Sequence, residues 1–405
     1  MKNTFFLLGF ILLTTLTFSQ ESNNYLSDAQ ELVQQKKFAS AYAVLDSAIR
    51  TSGFQPALIC AMVDNVLKHY TLHRDFVVFY IKDEPGNGKR SSDDKISGNE
   101  IKAVRYPDRL LKKSLEQSPQ FALAYKLLGD FYRLQLSENE NLNILSPDAY
   151  GNIRDKVFTN YLRAVQLGYN EAAVNLWLGN YYKESNRVKI AKQYYQMNID
   201  NNSDDPGTFC NLAEIYLSEK KYSQAYNYAI VVLQNFASLD PELRYRATRW
   251  AALSLYNLGE DQRFLDYIQE CIQIFPDMQA AYIDLLAYYS EKNDSEGSHK
   301  IIRQMLINNP YGERGYKYLE RYCVRESDYQ FGEQLFEEMM VLFEHSDEAM
   351  GYIYRFRGNL LFHQGLADDA KKLWDISRNY FSRFLPEDSP MLKQIGDISR
   401  ESSLR

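Results

Sequence analysis

The stretch PDMQAAYIDLLAYYSEKNDSEGSHKIIRQMLINNP, residues 276–310, limits what this chain can become. Pro276 and Pro310 stand 34 residues apart and bracket two apolar-periodic segments, Gln279 to Ser290 and Glu296 to Ile307. The breaker-rich run Lys292-Asn293-Asp294-Ser295 parts them. Neither helix can bury its apolar stripe alone, so such hairpins must stack side by side, and a period of this length predicts a solenoid.

The same shift of 34 relates other residues. Leu178, Gly179 and Tyr182 are answered by Leu212, Ala213 and Tyr216, and Ala191 and Tyr195 by Ala225 and Ala229. Ala252, Leu286 and Glu320 continue the series, with extra residues at the junctions before Ala252 and before Gly358. A first hairpin runs from Tyr25, with Ala29 and Leu32 inward on one helix and Ala41, Leu45 and Ala48 on the other. The last holds Gly358, Leu361, Gly365, Ala370 and Trp374.

Between these lies an irregular part. A helix is expected over Pro56 to Tyr70, then the strand-like run 76–81, a flexible loop over 83–99, and a second helix from about Ile101 to Gln117, together a degenerate hairpin. A tip insertion is read at 137–152, with the partner helix starting at Val157. The expected organisation is a leader at 1–19, N-terminal repeats at 20–120, a tandem array at 121–385, and a polar tail at 386–405 that caps or frays.

Residues 1–19 carry Lys2, an apolar run from Phe5 to Leu13, and small residues at Thr17 and Ser19. This predicts a secretory signal peptide, because the run is shorter than the roughly 20 residues a bilayer requires. No cysteine stands at the cleavage point, so the expectation is a periplasmic or secreted protein with no integral membrane segment after cleavage. The net charge of -7 argues against nucleic acid as partner. Cys60, Cys210, Cys271 and Cys323 are scattered on helical segments without metal spacing and read as small packing residues.

The hairpins resemble the tetratricopeptide repeat. The residues that carry the resemblance are Tyr125-Leu128-Gly129-Tyr132, Phe209-Leu212-Ala213-Tyr216 and Tyr282-Leu285-Leu286-Tyr289, with Ala225, Ala370, Pro276 and Pro310 at later positions. Leu286 and Glu320 depart from it, standing where the family prefers a small residue. The resemblance implies an all-α, right-handed superhelical solenoid of antiparallel helix pairs, with a concave groove that binds extended peptides.

Chemistry is sparse by comparison. GlyAsnGlyLys at 86–89 fails as a phosphate loop, since Asp83 holds the first glycine position and Arg90 follows the lysine. His69 and His73 are one helical turn apart, but the intervening segment lacks a glutamate and no third ligand is evident, so they read as packed or solvated. Tyrosine pairs such as Tyr181 with Tyr182 and Tyr194 with Tyr195 read as packing between helices. No nucleophile–base arrangement stands out, so neither enzyme activity nor a cofactor is expected.

Helical projection places Arg246, Arg249, Arg314, Lys317, Arg321, Arg325 and Arg355 on the groove face, with Tyr256, Tyr352 and Asn359 nearby. A basic strip in an acidic protein favours acidic or C-terminal carboxylate ligands, since guanidinium pairs bidentately with carboxylate. Arg355 and Asn359 resemble part of the family's carboxylate clamp. The alternative is that these arginines pair with neighbouring Asp and Glu. The function expected is an exported scaffold for protein or peptide partners, and the rival is an envelope accessory protein binding glycan or another small ligand.

Overall fold

The computed structural model describes residues 23–84, 101–142, 145–201, 204–236 and 238–401. The chain divides between Ser203 and Asp204 into two compact units. The leader, residues 85–99 of the expected loop and the last four residues of the tail lie outside the described residues.

In the first unit, α1 (23–34) is followed by α2 (Phe38–Ser52), α3 (Pro56–His69), α4 (Pro107–Gln117), α5 (Ala122–Leu142), α6 (Pro147–Gln166), α7 (Ala172–Glu184) and α8 (Val188–Asp200). In the second come α9 (Pro206–Ser218), α10 (Tyr222–Asn235), α11 (Pro241–Asn257), α12 (Asp261–Ile274), α13 (Gln279–Glu291), α14 (Ser295–Asn308), α15 (Glu313–Glu326), α16 (Tyr329–Leu342), α17 (Asp347–His363), α18 (Ala367–Ser382) and α19 (Pro390–Glu401). From α5 onward, successive pairs pack against each other as hairpins, giving the stacked helix-pair architecture the period predicts.

Local chemistry sets the boundaries. Asp205, Asp240, Asp294, Asp328 and Ser346 cap helices by accepting from backbone N–H groups three residues on. A left-handed residue recurs in the six hairpin turns from α7–α8 to α17–α18, at Asn186, Lys220, Gly259, Asn293, Ser327 and Gly365. Glycine meets this requirement without strain at Gly259 and Gly365, where φ is 80° and 82°.

In the six hairpins from α7 to α18 a recurring position on the first helix is followed, sixteen positions later, by one on the second. The pairs are Gly179 with Tyr195, Ala213 with Ala229, Ala252 with Ile268, Leu286 with Ile302, Glu320 with Phe336, and Gly358 with Trp374. A Cβ at Gly179 would fall inside the Tyr195 ring, and one at Gly358 would lie 2.7 Å from Trp374 Nε1. Gly129 and Tyr161 make the same contact in the hairpin of α5 and α6. Each ring then bonds to the residue after its glycine: Tyr161 donates to Asp130 at 2.8 Å, Tyr195 to Asn180 at 2.7 Å and Trp374 to Asn359 at 3.0 Å. Where Leu286 and Glu320 replace the small residue, the two helices approach least closely.

Three expectations are corrected. The degenerate hairpin carries a three-stranded antiparallel sheet of β1 (Tyr70–Arg74), β2 (Val78–Ile81) and β3 (Lys102–Arg105), in the order β1-β2-β3. The second helix therefore begins at Pro107 rather than Ile101, after Tyr106 turns into the left-handed region and donates its N–H to Val77 O at 2.8 Å. The described part of the tip insertion is helical, extending α5 to Leu142 and starting α6 at Pro147, where the Ser146 hydroxyl accepts from Ala149 N.

The tail caps the array, since Leu392 and Ile395 of α19 are buried in the core of the second unit. All four cysteines are buried on helices, and burial pushes the thiols of Cys60, Cys271 and Cys323 up to about 12. Among the described residues no helix is long and apolar enough to cross a membrane.

Candidate functional site

The first helices α9, α11, α13, α15 and α17 lie one after another in the second unit, and the polar residues expected to face a ligand are joined largely to one another. Arg246 on α11 donates to Asn211 at 2.8 Å and to Glu214 at 3.2 Å on α9. Arg249 grips both carboxylate oxygens of Asp284 on α13, at 2.6 and 3.1 Å. Burial pushes the Asp284 carboxyl up, and its bonds to Arg249 reverse this only in part. Burial also works against the Arg249 charge, but Asp284 outweighs it and holds the guanidinium above its ordinary value. Tyr256 bonds to Glu291 on α13, and Lys317 pairs with Glu313 on its own helix at 2.8 Å.

The clamp-like pair is committed in the same way. Arg355 is only 3% exposed, ion-paired with Glu313 at 2.9 Å and covered by Met391 of α19, whose sulfur lies 3.0 Å from the guanidinium. Asn359 donates to Glu320 at 3.1 Å while accepting from Trp374. Tyr352 is buried, stacked on Tyr316 at 5.6 Å and edge-on to Phe381 at 5.1 Å. The expected exposure of Arg355 and Tyr352 is thus corrected: projection assigns a side to a helix, and it says nothing of the helix that next covers that side.

What stays open lies on α13 and α15. Ile283, Leu286, Ala287 and Ser290 from α13 and Tyr318, Arg321, Tyr322 and Arg325 from α15 line a cleft of about 230 Å³. Arg325 crosses to Ser290 at 3.2 Å and pairs with Glu326 at 2.5 Å. Arg314 and Arg321 are exposed, and among the described residues neither forms a hydrogen bond or an ion pair. The cleft thus has an apolar floor, two tyrosine walls and an uncommitted guanidinium at its rim. Leu286, one of the two departures from the small-residue rule, forms part of that floor.

The histidines pack. His69 stacks on Phe38 at 3.9 Å, and His73 stacks on Phe76 at 4.3 Å with Nε2 2.6 Å from Glu138. Sequence reading held pairing with neighbouring Asp and Glu as its alternative, but it did not name the partners on the adjoining first helices. The signal was a separation of about one repeat between opposite charges, as in Arg249 and Asp284, 35 apart.

The chain combines a period of 34, glycines set against aromatic rings at Gly179 and Gly358, and stacked antiparallel pairs. The repeat is tetratricopeptide-like. No family model matches the chain, and no curated protein does. Solved structures similar to it include YrrB, described as a TPR protein with an unusual peptide-binding site, at 18% identity over 49% of this chain and 92% of that one, with a TM-score of 0.38. Also similar are pilF of Pseudomonas aeruginosa (13% identity, 56% and 97% covered, TM-score 0.40) and a tetratricopeptide repeat protein of Parabacteroides merdae (13%, 73% and 91%, 0.35).

Proposed function

We propose that the chain is an exported interaction scaffold, without catalysis, that holds an acidic or C-terminal stretch of a partner protein on the face formed by α13 and α15. The observation that carries this is Arg321: exposed, unpaired among the described residues, and set at the rim of an apolar cleft. A guanidinium there can fork onto a carboxylate while the cleft takes an adjoining apolar side chain. Export follows from reading residues 1–19 as a leader, and an envelope or secreted location from the lack of a cysteine at its end.

Fluorescence anisotropy with a labelled peptide alternating Glu and Leu tests the groove. Reversing Arg321 and Arg325 to Glu is expected to weaken binding by about a hundredfold, since two charge-assisted contacts are exchanged for repulsion. Unchanged binding would remove the groove from the proposal. N-terminal sequencing of the mature protein, expected to start after Ser19, tests the leader.

A further inference from the structure

The sheet inserted between α3 and α4 interrupts the degenerate hairpin, and its two faces differ. One is packed: Phe79, Ile81 and Val104 are fully buried, Phe76 meets Phe131 of α5 edge-on, and His73 and Tyr70 both reach Glu138 of α5. That side is fixed to the helices. On the other, strand register puts Leu72, Tyr80 and Ala103 in one cross-strand row and Arg74, Val78 and Arg105 in the next. A bulge between Tyr70 and Leu72 turns Thr71 outward beside Leu72.

Leu72 is 63% exposed and Ile101, just before β3, 59%. With Thr71, His73, Arg74, Asp75 and Tyr80 they line an open cleft of about 600 Å³, in which Asp75 is the one carboxylate, beside Arg74. Arg74 and Arg105 are exposed, and among the described residues neither has a carboxylate partner. An apolar row beside a row bearing two unpaired guanidiniums, on a rigidly backed sheet, is half of a sheet-and-helix layer.

We propose that this face is a docking surface for an amphipathic, acidic helix of a partner protein. Apolar side chains at helical spacing would cover Leu72, Tyr80, Ala103 and Ile101, and carboxylates along one edge of that helix would reach Arg74 and Arg105. Charge selects the occupant: a basic amphipathic helix meets two like charges against the single carboxylate of Asp75, and an uncharged one leaves both guanidiniums unanswered. The surface is separate from the α13–α15 cleft and does not rest on that reading.

The probe is a short synthetic helix of Leu, Ala and Glu carrying a fluorophore, compared with its Lys-for-Glu analogue by anisotropy on the full chain. The acidic helix is expected to bind and the Lys analogue to fail. Arg74→Glu with Arg105→Glu, or Leu72→Ser alone, should weaken binding by about tenfold or more. All three residues are exposed, so an unchanged thermal midpoint checks that the variants fold. The measurements are repeated in an Arg321→Glu, Arg325→Glu background, in which the α13–α15 cleft no longer attracts an acidic probe, so binding that survives there belongs to the sheet face and a failure here is separated from a failure of the groove.

The proposal is overturned by equal binding of the Lys analogue, by indifference to the arginine reversals, or by no binding of the acidic helix. A bound probe that shows no helical circular dichroism also overturns it. So does capture of vesicles of anionic phospholipid in place of the peptide.

Discussion

The hairpins of α7 with α8 and of α13 with α14 occupy the same place in the period and solve the same packing problem differently. In the first, Gly179 lets the Tyr195 ring lie flat against the helix backbone and bond to Asn180. In the second, Leu286 and Ile302 meet as two aliphatic side chains, and the helices stand further apart. Glu320 goes further still. Its carboxylate bonds to Asn359 and His363, and Phe336, sixteen positions on, is fully buried. The lesson is that closeness in this array is set one residue at a time, and that the α13–α15 cleft opens where the small residues are missing.

That contrast can be broken most severely at Trp374. Trp374→Ala removes a buried ring, the bond to Asn359 and the partner of Gly358, so the second unit should lose about 3–5 kcal/mol in a denaturant titration. A loss below about 1 kcal/mol would mean that the ring is not what holds α17 to α18. Next comes Gly179→Ala, which places a methyl inside the Tyr195 ring and should cost about 1–3 kcal/mol. Ala213→Gly at the equivalent position should cost only about 0.5–1 kcal/mol, through helix propensity and lost packing. Equal effects at the two sites would erase the distinction between ring-filled and small-residue hairpins.

The smallest effect sharpens the link between neighbouring tight hairpins. Lys126 of α5 lies 2.9 Å from Asp130 and 3.2 Å from Glu171, just before α7. Burial raises the Glu171 carboxyl, but the hydrogen bond from Tyr169 and the Lys126 charge outweigh it, and the group is held below its ordinary value. A depressed carboxylate supports the fold above its unfolded value of roughly 4.3 and loses that support as pH falls through the folded value. Half-exposed as Glu171 is, the amount should be under about 1 kcal/mol. The difference in thermal midpoint between the parent chain and Lys126→Met should therefore shrink as pH drops from neutral to below about 4.

Much of the helix-pair pattern could be read directly, because apolar spacing and turn residues act locally. Asn293 takes the left-handed turn within the breaker-rich run 292–295. The sheet was harder. The run at 76–81 looked like a strand, but its partner Lys102-Ala103-Val104-Arg105 is four residues long and fits a helix equally well until Pro107 forbids continuation upstream. Projection put Arg321 and Arg325 on one face of α15, and both line the α13–α15 cleft. It could not foresee Arg355, whose burial depends on Met391, 36 residues away. Nor could it say that Asp284 would answer Arg249, since spacing limits which charges can meet and only the stacked helices decide which do.

Those cross-links bear on how such an array can be rearranged. Arg246 looks back to α9 and Arg249 forward to α13, while Asn359 and Arg355 look back to α15. Each hairpin is thereby addressed to particular neighbours. Duplicating one, or exchanging two, would preserve the greasy contacts and strand a set of charges without answer. The order of hairpins in the second unit is thus encoded as fully as their shape, and a shuffled gene would yield a protein that stacks poorly despite an unaltered composition.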